Sequence, residues 1–210
     1  DGTKSNPYVI SNGNELAFFE YNLRTNDYAN TYFEISSDII LNPGIFNVTD
    51  AGIFYILDSN EYVVDLNTNE YKTKDGVVAG SFKTLDSLKN FKGTLNGTLH
   101  TIHGLYMNKK GNNGLFDSLE GEINNLYVKN ALINGGDTSG IIAANSNNAI
   151  LKNIMVEGNV IGNSEAYNKT VSTNIQNQNF EVTNNITNKT INIQNNIPTK
   201  GAIISKTTLT

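Results

Sequence analysis

The sequence predicts an all-β fold, a parallel β-helix in which successive coils of one chain stack on each other. Two observations carry this prediction. The segments Ile123–Val128 and Leu151–Val156 share one apolar pattern about 28 residues apart. The 210-residue chain also holds 36 Asn, a residue that tolerates the left-handed backbone of tight corners. Repeats of this length, with short apolar strands and Gly or Asn corners, indicate stacked coils rather than one central core.

The repeat extends beyond these two segments. Leu132-Ile133 is expected to lie against Val160-Ile161, and Gly114-Leu115-Phe116 takes the place that Gly140-Ile141-Ile142 takes in the next coil. After an interruption, Gly201-Ala202-Ile203-Ile204-Ser205 resumes the pattern that begins at Gly140. We therefore expect like side chains of successive coils to form columns.

Two asparagines, Asn125 and Asn153, occupy the same position in the two matched coils. Identical amide side chains at the strand spacing stack into hydrogen-bonded ladders. The prediction for both is a structural ladder that also satisfies backbone groups at a corner, rather than a role in binding.

Residues 1–42 are predicted to form an N-terminal cap of strand, helix and strand. Leu16, Phe19 and Leu23 recur at helical spacing, and Ser11 is a candidate N-cap. A stacked coil exposes core and strand edges at its ends, so a short amphipathic helix before the first coil meets a physical need.

Residues 81–210 are assigned to the β-helix coils, and two segments interrupt the pattern. Residues 43–80 are predicted to be an inserted β-hairpin, because apolar runs flank the turn signal Asp58-Ser59-Asn60-Glu61. Residues 163–200 form a long insert, either a projecting β-arm or a disordered segment.

Composition excludes several functions. The net charge is −5, and Arg24 is the only arginine, which argues against binding to nucleic acid. The absence of cysteine excludes disulfides, zinc-thiolate sites and thiol catalysis. No run of apolar residues approaches the ~20 that a membrane helix needs, so we expect no direct membrane insertion. The abrupt start at Asp1 suggests a piece of a larger protein.

Three strings occur in a fixed order along the chain: Phe91-Lys92-Gly93-Thr94-Leu95-Asn96-Gly97, then His100–Leu105, then Asn113–Phe116. The coil Ile123–Asn130 follows them, and the leader Asn6-Pro7-Tyr8-Val9-Ile10-Ser11 precedes them. Together these motifs resemble the GLUG-type repeat region of bacterial adhesin-like surface proteins, in which the three strings correspond to the opening of the repeat. The two inserts are not part of the common repeat.

The resemblance implies a right-handed parallel β-helix that serves as a stalk or a binding module. It implies a noncatalytic, extracellular protein of a bacterial cell surface, in the cell wall or outer membrane, without a cofactor. The expected partner is a host or environmental glycan or an extracellular protein. Two alternatives remain: a polysaccharide-degrading β-helix enzyme (a lyase or glycoside hydrolase), and a structural spacer.

Residues with catalytic or metal-binding chemistry are sparse. Glu120 and Glu122 have the i, i+2 spacing that could place two carboxylates on one face, but we interpret both as solvated acids of a turn at Gly121. His100 and His103 are three residues apart, which in a strand points them to opposite faces. No catalytic residue and no metal ligand is therefore predicted.

The inserts are the predicted binding elements. Aromatic side chains stack on sugar rings or anchor protein partners when they are exposed. The candidates are Tyr55, Tyr62 and Tyr71 in the first insert and Tyr167 and Phe180 in the second. The alternative for each is that it covers the solenoid core.

Overall fold

The computed structural model of the protein describes residues 1–135, 138–161, 174–176 and 204–208, the last two segments by their backbone alone. Within these residues lie one helix, α1 (Gly13–Leu23), and nineteen strands. In chain order, the strands are β1 (Tyr8–Ile10), β2 (Tyr32–Ile35), β3 (Ile39–Ile40), β4 (Ile45–Thr49), β5 (Gly52–Leu57), β6 (Asn60–Asp65), β7 (Glu70–Lys72), β8 (Val78–Ser81), β9 (Thr94–Asn96), β10 (Thr101–His103), β11 (Tyr106–Asn108), β12 (Asn112–Asn113), β13 (Phe116–Leu119), β14 (Glu122–Asn134), β15 (Thr138–Ser139), β16 (Ala143–Asn147), β17 (Ile150–Ile161), β18 (Asn174–Gln176) and β19 (Ile204–Thr208).

The architecture is a parallel β-solenoid, as the repeat predicts. On one face the strands stack in the order β1-β2-β9-β14-β17-β18, which makes six rungs, and every neighbouring pair is parallel. A second face pairs β13, β16 and β19 in the same sense. Chain segments far apart in sequence are therefore direct neighbours in the sheets.

The long strands β14 and β17 bend around the solenoid and serve more than one face. Successive parts of β14 pair with β9, β10 and β11. The bends in β14 lie at Asn125 and Asn130, both with φ 51°, and β17 bends at Asn153 with the same φ. Asn at these corners is explained by its tolerance of left-handed backbone.

The buried residues of β14 and β17 confirm the predicted register up to Val128 and correct it beyond that residue. Val128 pairs with Val156, and both are completely buried in one shared core. Beyond them, however, Leu132 pairs with Asn159 rather than with Val160. The reason is a bulge: β14 has one residue more than β17 between these pairs, at the Asn130 corner.

The C-terminal strands extend the stack. Ala143 pairs with Ile204, which is the register that the sequence pattern from Gly140 predicts. Residues 174–176 form β18 on β17, so this part of the predicted 163–200 insert is a rung of the solenoid. The remainder of that insert lies outside the described residues.

Helix α1 covers the end of the solenoid core. Its buried residues include the predicted Leu16, Phe19 and Leu23, and the Phe19 ring lies 4.4 Å from that of Phe33 on the second rung. The N-cap is Asn12 rather than Ser11, because the Asn12 side chain accepts from the first free N–H groups of the helix. Ser11 instead donates to the Glu15 carboxylate.

The first insert is larger than the predicted hairpin. Strands β4 to β8 form a five-stranded antiparallel sheet that runs from Ile45 to Ser81. The predicted turn is present between β5 and β6, where Asp58 and Ser59 both have positive φ, as a two-residue hairpin turn requires. The sequence pattern does not reveal every further strand, because some of them are short and polar, as β7 (Glu70–Lys72) is.

The insert sheet packs on the outside of the solenoid. Its inner face forms a second hydrophobic core with Tyr106 and Leu132, two residues that point away from the solenoid interior. The Tyr106 hydroxyl donates to Asn69 Oδ1 at 2.8 Å, and burial raises the pKa of Tyr106 to about 12. The solenoid and the insert thus share a hydrophobic core, and the hydrogen bond from Tyr106 to Asn69 lies at its edge.

Candidate functional site

Tyr55, the first predicted binding residue, is not available to a partner. Its side chain is only 1% exposed and lies in the core between the insert and the solenoid. Its hydroxyl accepts a hydrogen bond from the Gly44 backbone N–H at 2.8 Å. This correction follows from strand alternation, because Tyr55 occupies the inner face of β5 and so covers the solenoid.

Tyr62 and Tyr71 are half-buried and pack against the same core. Their rings are 5.2 Å apart, and the ring of Tyr71 lies 4.9 Å from that of Tyr55. Gly80 leaves room for this arrangement, because a Cβ there would be 2.3 Å from the Tyr71 hydroxyl. These tyrosines belong to the packing of the insert. The other two candidates, Tyr167 and Phe180, lie outside the described residues.

The outer face of the insert carries an apolar surface, which we call the insert patch: Ile45, Phe54, Ile56, Val63 and Val78. Ile45 and Val78 are each 51% exposed and Val63 is 39% exposed. Cross-strand pairing places Ile45 beside Ile56 and Phe54 beside Val63. The patch is therefore contiguous from β4 to β6, and Lys72 of β7 lies between Val63 and Val78.

A second surface feature is a groove on the six-rung face, which we call the rung groove. It encloses about 580 Å³ and is lined by Lys4, Pro7, Tyr32, Phe33, Glu34, Thr94, Asn96, Glu122, Asn124, Asn125 and Lys152. Most of these side chains alternate with buried residues of the rungs, so they stand in outward columns. One column runs Tyr32–Thr94–Glu122 and another runs Glu34–Asn96–Asn124–Lys152.

Charges of both signs meet in the rung groove. Lys152 Nζ lies 2.8 Å from Glu122 Oε1. The hydrogen bond from Lys152 is the main cause that lowers the pKa of Glu122, and the side chain of Asn124 adds to it. The Asn124 Oδ1 atom at the groove is buried and has no hydrogen-bond partner among the described residues.

The rung groove contains two carboxylates, those of Glu34 and Glu122. Glu34 and Glu122 are two rungs and two residues apart, which is roughly 12 Å between Cα atoms at the usual strand spacings. The sequence candidate Glu120 faces Lys92 at 4.0 Å and does not line this groove. The i, i+2 pair of Glu120 and Glu122 therefore does not share this site.

The histidines make local corner contacts. His100 Nδ1 lies 3.2 Å from Asp38 Oδ1, and His103 Nε2 lies 3.2 Å from the Pro43 carbonyl oxygen. Among the residues that the structure describes, no group of three His, Cys, Asp or Glu side chains could hold a metal ion.

Asn125 and Asn153 are hydrogen-bonded to each other as a ladder requires. Asn153 Nδ2 donates to Asn125 Oδ1 at 2.9 Å, and Asn125 Nδ2 donates to Asn96 Oδ1 at 3.1 Å. The ladder therefore includes a third member, Asn96, from the preceding rung. All three side chains are half-buried at the corner rather than inside the core.

Comparison with known proteins gives one informative similarity. The chain is 36% identical over 83 residues to halomucin of Haloquadratum walsbyi (strain DSM 16790 / HBSQ001), which covers 38% of this chain and 1% of halomucin. The chain thus spans only a small fraction of that relative. No protein-family model matches the chain, and no solved structure matches it.

The similarity to halomucin is loosely consistent with an extracellular location. In the part of the chain that the structure describes, no helix is long and apolar enough to cross a membrane.

Proposed function

We propose that the protein is a noncatalytic, adhesin-like module of a bacterial cell surface that binds an extracellular protein of a host or of the environment. The resemblance to GLUG-type repeat regions and the partial similarity to halomucin support this class. A β-solenoid suits the role, because it is a rigid support that holds a binding element away from the cell.

The observation that carries the proposal is the insert patch. Large contiguous apolar patches are uncommon on soluble monomers and often mark interaction sites. Ile45, Val63 and Val78 stay exposed on the outer face, whereas the opposite face of the same sheet packs on the solenoid. The outer face is therefore the side of the insert that a partner can reach.

The chemistry of the patch favours a protein partner over a glycan at this place. Sugar rings are held mainly by exposed aromatic faces and polar groups, whereas the exposed members here are aliphatic. A charged rim surrounds them, including Glu61 and Lys74 with a separation of 3.5 Å. An apolar centre with a solvated polar rim is the usual anatomy of a protein interface.

A noncatalytic role agrees with the carboxylates of the rung groove. Glycosidases raise the pKa of the carboxyl group that acts as the acid. In the rung groove the pKa of Glu122 is instead lowered. We assign the protein to the cell wall or outer membrane as part of the same proposal.

The test is binding of the full chain to an array of extracellular-matrix and serum proteins. The variant Ile45→Asp/Val63→Asp places two charges in the patch and is expected to weaken capture by tenfold or more, about 1.4 kcal/mol. The matched control is Phe18→Asp, which changes a 68% exposed residue of α1 and should leave binding intact. A wild-type chain that binds none of these proteins would favour a structural spacer.

A further inference from the structure

We propose that the rung groove is a second binding site, for an extended, uncharged oligosaccharide. The site lies on the six-rung face and shares no residue with the insert patch. It can therefore be tested independently of the function proposed above.

The shape of the groove fits a linear ligand. Its columns cross the rungs β2, β9, β14 and β17, and adjacent strands are ~4.8 Å apart. Contacts along a column therefore recur at a fixed interval, which suits a chain of repeating sugar units. The volume of about 580 Å³ is within the range of about 300–1,000 Å³ that is usual for small-ligand sites.

The polar groups fit a ligand rich in hydroxyls. Glu34 and Glu122 supply carboxylate acceptors, and the Lys152 ammonium is a donor. A sugar hydroxyl is donor and acceptor at once, so one ligand can satisfy both kinds of group. Asn96 and Asn124 add amide side chains to the lining of the groove, and an amide supplies both donors and an acceptor.

Apolar contacts complete the match. Tyr32 and Pro7 lie on the wall of the groove beside these polar side chains. An aromatic face next to hydrogen-bonding groups accommodates the apolar C–H face of a pyranose ring while its hydroxyls are bonded at the edge.

The balance of charge selects against anionic glycans. Lys4 and Lys152 face Glu34 and Glu122 in the groove, so the formal charges cancel. The ion pair of Lys152 with Glu122 lowers the pKa of that carboxyl group further below neutral pH. A uronate, sulfate or phosphate group would gain no net attraction and would meet two carboxylates.

The experiment measures binding of the full chain to the hexaoses of cellulose, laminarin, mannan and chitin, with hexagalacturonate as the anionic comparison. We expect at least one neutral hexaose to bind and hexagalacturonate to bind at least tenfold more weakly. Thr94→Arg fills the groove and should abolish binding, and Glu34→Ala should weaken it about tenfold. Glu61→Ala, at a surface carboxylate of the insert, is the matched control and should bind like the wild type.

The outcomes separate this site from the insert patch. Loss of hexaose binding in Glu34→Ala, with the protein partner still captured, supports the groove site. The inference is overturned if no neutral hexaose binds the wild type, if both groove variants bind normally, or if hexagalacturonate is preferred. Thermal melting confirms that each variant is folded. Cleavage of a bound hexaose would overturn the noncatalytic function and leave the groove as the place of reaction.

Discussion

The side-chain amide of Asn42 lies 2.8 Å from the carbonyl oxygen of Gly104, and this contact joins the insert to the solenoid. The same amide also donates to the Lys83 carbonyl and accepts from the Lys83 N–H, both at 2.9 Å. Asn42 precedes the insert and Lys83 follows it. One buried side chain therefore fixes both ends of the insert on the same rung.

We expect Asn42→Ala to destabilise the protein by about 2 kcal/mol, because it leaves the buried Gly104 carbonyl and the partly buried backbone groups of Lys83 without their partner. Urea unfolding followed by circular dichroism measures the change. Asn60→Ala is the control, since Asn60 is exposed and donates only to the Asp58 carbonyl within its own turn. Equal losses for the two variants would contradict the anchoring role of Asn42.

Gly104 is expected to tolerate no side chain. Its φ is 75°, and a Cβ would lie 2.0 Å from the Asn42 carbonyl oxygen. Gly104→Ala should therefore cost roughly 3–5 kcal/mol, which combines left-handed backbone strain with a backbone clash. Gly76 has a similar φ of 83° with nothing within 4 Å, so Gly76→Ala isolates the strain and should cost about 1–2 kcal/mol. Thermal and urea unfolding of the two variants give the difference.

Two substitutions at Asn125 separate the stability contributed by the Asn ladder from that contributed by the left-handed corner. Asn125→Gly keeps the left-handed backbone available but removes the amide bonded to Asn96 and Asn153, and it should cost about 1 kcal/mol. Compared with the glycine variant, Asn125→Ala restores a Cβ at φ 51° without the side-chain amide by which Asn tolerates this backbone, and it should cost about 1–2 kcal/mol more. If the glycine variant matches the wild type in urea unfolding, the ladder adds no stability.

The pair of Glu122 and Lys152 predicts a specific acid sensitivity. The pKa of Glu122 is lowered in the folded protein, so its contribution to stability is present above the ordinary carboxyl pKa of about 4.3. That contribution is lost as the pH falls through the lowered folded value. The stability difference between wild type and Glu122→Gln should shrink between about pH 5 and pH 3.

Urea unfolding at several pH values tests this linkage. Glu61→Gln is the control, because its carboxylate is a surface group 3.5 Å from Lys74. A difference between wild type and Glu122→Gln that stays constant with pH would show that the ion pair contributes nothing.

The sequence predicts the inward columns well because they follow a repeat. Buried residues such as Val128 and Val156 must coincide for the coils to stack, and a strict apolar pattern reveals this. The prediction is wrong by one residue after Val128, since an extra residue at a left-handed Asn130 leaves no mark in the hydrophobic pattern. Bulges of this kind depend on local backbone geometry.

The binding surfaces were harder to find. In β5 both faces are apolar, as Phe54, Tyr55 and Ile56 show, so alternation does not reveal which face packs on the solenoid. Side-chain chemistry favours the tyrosines as binding residues, but the fold buries Tyr55 and exposes Ile45, Val63 and Val78 instead.

The rung groove was missed because its residues come from positions 4 to 152 and meet only through rung register. One signal was present in the sequence. Polar or amphipathic residues flank a buried apolar residue at Tyr32 and Glu34, and again at Glu122 and Asn124. Aligning these outward pairs along with the inward residues would have identified the columns.

The contact of the insert with Tyr106 and Leu132 makes two distant stretches of sequence interdependent. If residues 45–81 were shortened, two large apolar side chains on the solenoid exterior would face water and promote self-association. Homologous chains without this sheet should therefore carry polar residues at both positions. A redesign that grafts or shortens the insert therefore also has to change the solenoid residues that it covers.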